Sequence, residues 1–182
     1  MIANRSRAPN EIVLYTVGHG TLDAERFVRL LTSSEISHLV DVRSVPGSSR
    51  NPRFGRPAME GWLPADGIGY RWEPDLGGFR RASKSSANTG LRHPAFRGYA
   101  DHMQTPTFRA ALDRLLAEAA RSSTVIMCSE TLWWRCHRRL IADAATLLAG
   151  IDVLHLMHDG KLQSHVVTVP ARLENGSVVY PS

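Results

Sequence analysis

The chain has 182 residues, a formal net charge of +5 and two cysteines. That length suits one domain burying roughly two thirds of its unfolded surface, and so few cysteines exclude a disulfide framework. The opening Met-Ile-Ala-Asn-Arg-Ser-Arg lacks a secretory apolar run and no apolar stretch is long enough to span a bilayer, so no membrane partner and a reduced, cytoplasmic setting are expected.

Lys84 and Lys161 are the only lysines, so arginine supplies the cationic excess. Its planar fork binds carboxylate or phosphate at two points, which suggests an anionic partner such as a nucleotide or nucleic acid. An Ala-, Arg- and Leu-rich composition also arises from GC-rich coding, so the bias has two readings.

Glu11 to Val17 predicts a buried strand, closed by the turn Gly18-His19-Gly20. Asp23 caps a following helix whose apolar stripe is Phe27, Leu30 and Leu31. Ser37 to Val42 is the second strand, ending in Asp41-Val-Arg43. From residue 46 to 101 the periodicity fades while Gly, Pro and Arg accumulate, which predicts a long irregular insertion of the kind used for lids and binding loops. Its aromatics Phe54, Trp62, Tyr70, Trp72 and Phe79 argue against full disorder, and residues 82–89 are expected to be its most mobile part.

Thr105-Pro106 opens a helix with the apolar face Phe108, Ala111, Leu112, Leu115, Leu116 and Ala119. Thr124 to Met127 is the third strand, a helix from about Leu132 to Leu148 follows with Gly150 as its stop, and Ile151 to Met157 is the fourth strand. Residues 166–180 read as a hairpin, with strands at 166–173 and 177–180 around Asn175-Gly176. Alternating strands and helices predict a single α/β domain, its mostly parallel sheet covered on both faces. Ligands of such sheets sit outside the carboxyl ends of the strands. His19, Asp41, Arg43, Cys128 and Glu130 all fall there, so they are expected to converge on one hollow.

The richest segment is Cys128-Ser-Glu130-Thr-Leu-Trp133-Trp134-Arg135-Cys136-His137-Arg138. A helix N-terminus stabilises a thiolate, which casts Cys128 as nucleophile, although free cysteine is also a common buried residue. His137 with Glu130 or Asp41 makes a carboxylate–imidazole pair suited to proton transfer; on an apolar helical stripe it also reads as a core histidine. Trp134 stands where a phosphatase loop requires arginine, and Arg135 is one residue late, which excludes that motif. A rhodanese-type persulfide loop stays open. A metal site from Cys128, Cys136, His137 and His19 is disfavoured, because adjacent residues on a helix project about 100° apart.

Asp41 and Arg43 share one strand face, either as a structural salt bridge or with Arg43, Arg50 and Arg53 gripping an anion. Tyr70 and Trp134 offer stacking faces, Gly77 and Gly78 a close backbone approach, and Arg138 a further cation.

Tyr15-Thr-Val-Gly18-His19-Gly-Thr, Leu39-Val-Asp41-Val-Arg43-Ser-Val-Pro46, Tyr70 with Leu76-Gly77-Gly78, and Cys128-Ser-Glu130 followed by Cys136-His137-Arg138 resemble domain of unknown function family 488 of bacteria and archaea. The resemblance runs from Ile12 to about Met157. It implies a small stand-alone α/β domain whose shared polar residues lie at these strand ends, and it carries over no reaction.

Together these features predict an enzyme of nucleotide or nucleic-acid processing. Cys128, Glu130, His137 and Asp41 are the expected catalytic residues; His19, Arg43, Arg50, Arg53, Tyr70, Gly77, Gly78, Trp134 and Arg138 are expected to hold substrate. The sequence requires no cofactor and assigns no metal. A non-catalytic nucleic-acid binding module and a thiol or metal sensor are the alternatives.

Overall fold

The computed structural model describes residues 12–47 and 51–182. Strands β1 (Val13–Gly18), β2 (His38–Asp41), β3 (Gly69–Trp72), β4 (Thr124–Cys128) and β5 (Asp152–Leu156) pair in parallel. With the antiparallel edge strand β6 (Leu162–Ser164) they form one sheet in the order β3-β2-β4-β1-β5-β6. The central β1 is buried along its whole length, and its side chains alternate between two cores. Leu14 faces one core together with Val40 and Ile126. Val13, Tyr15 and Val17 face the other with Leu39, Val125 and Met127.

Helices α1 (Ala24–Ser33) and α2 (Arg56–Ala65) close the second core through Phe27, Leu30, Leu31, Met59 and Leu63. The side chain of Asp23 caps α1 by accepting the Arg26 N–H at 2.7 Å. Helices α3 (Pro94–Met103), α4 (Pro106–Ala119) and α5 (Arg138–Ala149) close the first core. Thr105 caps α4, Pro106 fills its first turn, and Phe108, Ala111, Leu112 and Leu115 are buried as their spacing requires. Burying each of the Phe and Leu side chains contributes about 1.5–3 kcal/mol. Strands β7 (Arg172–Glu174) and β8 (Ser177–Val179) form a separate antiparallel pair. Asn175 and Gly176 sit in the left-handed region at its turn, as an Asn-Gly hairpin demands.

Four expectations need correction. The segment 46–101 holds more regular structure than its patterning predicts, namely α2, the parallel strand β3 and α3. Pro57, Gly61 and Pro64 obscure the period of α2, and β3 has only four residues. Within the segment, residues 82–89 are tied down, since Asp101 accepts from Ser83 N, Ser86 Oγ and Asn88 Nδ2, while Asn88 Oδ1 accepts the Tyr180 N–H. The helix expected from about Leu132 begins only at Arg138, after a 3-10 turn at Trp133–Arg135 and an extended Cys136. In the tail, strand pairing starts at Arg172 and not at Val166. Among the described residues no helix is long and apolar enough to cross a membrane.

The topology fixes where a site belongs. β1 leads to α1 on one face of the sheet, and its neighbour β4 leads to α5 on the other. Adjacent strands whose connections part in opposite directions leave a crevice beyond their carboxyl ends.

Candidate active site

Beyond β1 and β4 the two chains stay bonded for one more step, with His19 N–H donating to Cys128 O at 3.0 Å and Gly20 N–H to Ser129 O at 3.0 Å. Glycine at 18 is dictated by this approach: a Cβ there would lie 2.0 Å from Glu130 O. A cavity of about 640 Å³ opens at this point, a size suited to a small organic ligand. Cys128, Cys136 and His137 form its floor, Phe79, Phe96 and Tyr99 one wall, and Glu130 and Arg135 its polar side.

The floor is tightly built. Cys128 Sγ, Cys136 Sγ and one ring nitrogen of His137 lie within 4.8 Å of one another. The His137 ring nitrogen Nε2 is 2.9 Å from the Val42 carbonyl, which can only accept, so Nε2 carries the proton. That leaves the Nδ1 lone pair facing Cys136 Sγ at 3.6 Å. Cys136 also accepts from Arg138 Nε at 3.4 Å. The hydrogen bond from Cys128, with the Arg138 charge nearby, holds the Cys136 thiol well below its ordinary range despite its burial. Cys128, as the donor in that bond and a buried group, is pushed up. The sequence assigned the activated thiol to Cys128; the geometry assigns it to Cys136, whose extended backbone turns it toward its neighbours.

Arg43 borders the cavity but its charge is committed. Its Nε donates to Asp41 Oδ1 at 2.8 Å, its terminal nitrogen to Asp41 Oδ2 at 2.5 Å and to Phe54 O at 2.8 Å. Tyr70 O–H completes the Asp41 shell at 2.8 Å, and burial with the Asp41 charge pushes the Tyr70 phenol up. Asp41 is fully buried and outside the cavity lining, so it positions Arg43 and does not meet a ligand.

His19 is likewise sealed. It stacks on Phe54 at 4.3 Å, its Nε2 has no hydrogen-bond partner among the described residues, and burial followed by Arg43 lowers its pKa to about 4. Gly77 is buried, and a Cβ there would lie 2.7 Å from Ser44 Oγ. Gly78 does line the cavity, and a Cβ there would lie 3.1 Å from His137 Nδ1, so its bareness keeps that nitrogen accessible.

Arg53 lies elsewhere, beside Ala24 and Glu25 at the start of α1. Trp134 is exposed on the edge of Trp133 and outside the cavity. Arg50 falls outside the described residues. The expected hollow thus gathers Arg43, Gly78, Cys128, Glu130 and His137, while His19, Asp41 and Tyr70 stand behind it.

Arg138, expected to bind substrate, is buried and holds the floor together. It donates to Glu130 O, Cys136 Sγ and, at 3.3 Å, Thr16 Oγ1. From Thr16 a buried chain of hydrogen bonds continues through His155 (2.7 Å) and His165 (3.1 Å) to the carboxylate of Asp143 (2.9 Å), which also accepts Tyr180 O–H at 2.8 Å. Every donor has an acceptor when both imidazoles are neutral, and burial, with His165 and Arg138 nearby, lowers the His155 pKa to about 3. Trp133 stacks flat on His155 at 3.9 Å.

The family described as Domain of unknown function DUF488 matches residues 23–145. The chain belongs to this family. No curated protein and no solved structure matches it. The matched span of the DUF488 domain includes Asp41, Arg43, Cys128, Cys136, His137 and Arg138 but ends before His155, His165 and Tyr180. Sequence reasoning missed that second network because its members are scattered over β1, β5, α5 and two segments outside the regular elements. It also passed over Arg135, Phe96 and Tyr99 as site residues. One signal was present: His155 sits in the strand Asp152–Leu156 where an apolar side chain is the rule.

Proposed function

We propose that this DUF488 protein is an enzyme acting on a phosphate-bearing nucleotide or nucleic-acid substrate, with Cys128, Cys136 and His137 as its reactive centre. One observation carries the reading: a single cavity unites that cluster with an exposed aromatic ring and an arginine that has no partner among the described residues. The ring is Phe79, which is 94% exposed and holds a left-handed backbone (φ 55°) that a bulky side chain adopts only at a cost. A base stacked on it against Phe96 and Tyr99 would repay that cost. Arg135 is the cation for the phosphate, because Arg43 and Arg138 are already engaged. Glu130, exposed at the lip, is placed to exchange protons with a bound substrate.

Equilibrium binding of nucleoside mono- and diphosphates and short oligonucleotides tests this. Phe79→Ala and Arg135→Ala are each expected to weaken binding roughly tenfold, within the about 1–3 kcal/mol that base stacking contributes. Cys136→Ala should bind as well as the parent and turn nothing over. Binding insensitive to both cavity substitutions refutes the substrate class. Binding without turnover in the parent leaves the non-catalytic module.

A further inference from the structure

We propose that Cys128, Cys136 and His137 hold a zinc ion in a three-ligand site whose fourth position opens into the cavity, which deepens the reading above by naming what acts there. The three ligand atoms lie within 4.8 Å of one another. Zinc with sulfur at about 2.3 Å and nitrogen at about 2.0 Å in a tetrahedron separates its ligand atoms by about 3.5–3.8 Å. The Cys136 Sγ to His137 Nδ1 distance is 3.6 Å, already within that range. The objection that neighbouring residues cannot face one ion holds only on a helix, and Cys136 is extended (φ −121°, ψ 153°).

The surroundings match what a bound ion needs. His137 gives its Nε2 proton to a backbone carbonyl, which fixes Nδ1 as the lone-pair nitrogen and locks the ring, as outer-shell partners of ligating histidines do. Arg138 donates to Cys136 Sγ and so tempers one of the two sulfur charges. Gly78 removes the side chain that would crowd Nδ1. Two thiolates and one imidazole select a soft or borderline ion, and zinc takes such a set readily. All three ligands line the cavity, so a fourth position left open points to where a ligand would lie; three protein ligands and an open position are the pattern of catalytic zinc.

The test uses the full chain, made in zinc-supplemented medium and purified without chelator. Elemental analysis is expected to find about one zinc per chain. Stripping the ion and adding cobalt(II) should give a thiolate charge-transfer band that falls by about half in Cys128→Ser, since one of two sulfur ligands is gone. Because Cys136→Ser and His137→Ala can disturb folding, a second measurement needs no variant. Peptide mass spectrometry should find Cys128 and Cys136 alkylated several-fold more slowly with zinc than after stripping. A folded parent that takes up less than about a tenth of an equivalent from excess zinc overturns the proposal, as do thiols alkylated equally fast with and without zinc. These readouts need no nucleotide. A protein that holds zinc but binds no nucleotide sinks the substrate class and leaves the metal site standing; nucleotide binding without zinc does the reverse.

Discussion

Replacing Asp143 by alanine tests the buried network directly. Asp143 is fully buried on α5 and its two oxygens accept three donors: His165 Nε2 at 2.9 Å, Thr168 N at 2.8 Å and Tyr180 O–H at 2.8 Å. Removing the carboxylate leaves all three without that acceptor, at a place where the Asp143 and His165 side chains are buried and Thr168 is half-buried. Each buried donor left unpaired costs about 1–3 kcal/mol. With three donors affected, a destabilisation of at least about 3 kcal/mol is expected, a large share of the roughly 5–15 kcal/mol that holds a domain folded. Urea titration followed by tryptophan fluorescence and by far-UV circular dichroism measures it, with an unchanged slope required for the comparison. Tyr180→Phe is the control. It removes one donor while the carboxylate keeps its other partners, so it should cost only about 1 kcal/mol. A cost below about 1 kcal/mol for Asp143→Ala, or equal costs for the two variants, refutes the claim that this carboxylate anchors the network.

His155 makes the fold acid-sensitive. Its pKa is lowered to about 3 from an ordinary 6.5, so the unfolded chain binds a proton in that interval that the native state refuses. The stability it contributes is complete above 6.5 and is lost as pH falls below that value toward 3; urea midpoints measured from pH 7 to 4 should decline, and His155→Gln should flatten the decline. Gly18→Ala places a Cβ 2.0 Å from Glu130 O and 2.9 Å from a terminal nitrogen of Arg138. Backbone cannot yield as a flexible side chain does, so the variant should melt lower by more than about 5 °C, and an unchanged melting temperature would contradict the close approach of the two strand ends.

The parallel sheet, the capped helices α1 and α4 and the Asn175-Gly176 hairpin were legible because each rests on local signals: alternation or apolar runs, a cap, a turn residue. The start of α5 was not. Leu140, Ile141 and Ala144 continue a helical period that counts back through Trp134 without conflict, and no cap residue marks the true beginning at Arg138. That error mattered, because a helical Cys136 points away from His137 while an extended one meets it. Residue type also misled. Arg53 and Trp134 have the right chemistry, but the backbone carries them to other surfaces. Asp41 ends β2 and Arg43 lies two residues beyond it, off the strand that was expected to carry both, and of the two readings offered for the pair the structure shows the ion pair.

Under the proposed function, charge compensation explains why so arginine-rich a site would need an anion from outside at only one point. A buried guanidinium is tolerated only with a counter-charge and its hydrogen bonds in place. Arg43 finds both in Asp41 at contact distance. Arg138 does not: its carboxylate, Asp143, stands at the far end of a chain through Thr16, His155 and His165. Attraction weakens with that separation, whereas the ionisable sulfur of Cys136 accepts from Arg138 directly at 3.4 Å. Arg138 therefore favours a deprotonated Cys136 whether the sulfur is bare or bound to an ion. On the zinc proposal, an ion with two thiolates is neutral and would leave the Arg138 charge uncancelled beneath the cavity floor. That charge and Arg135 at the rim would then act together on whatever enters, which would favour an anionic ligand without enlisting Arg43.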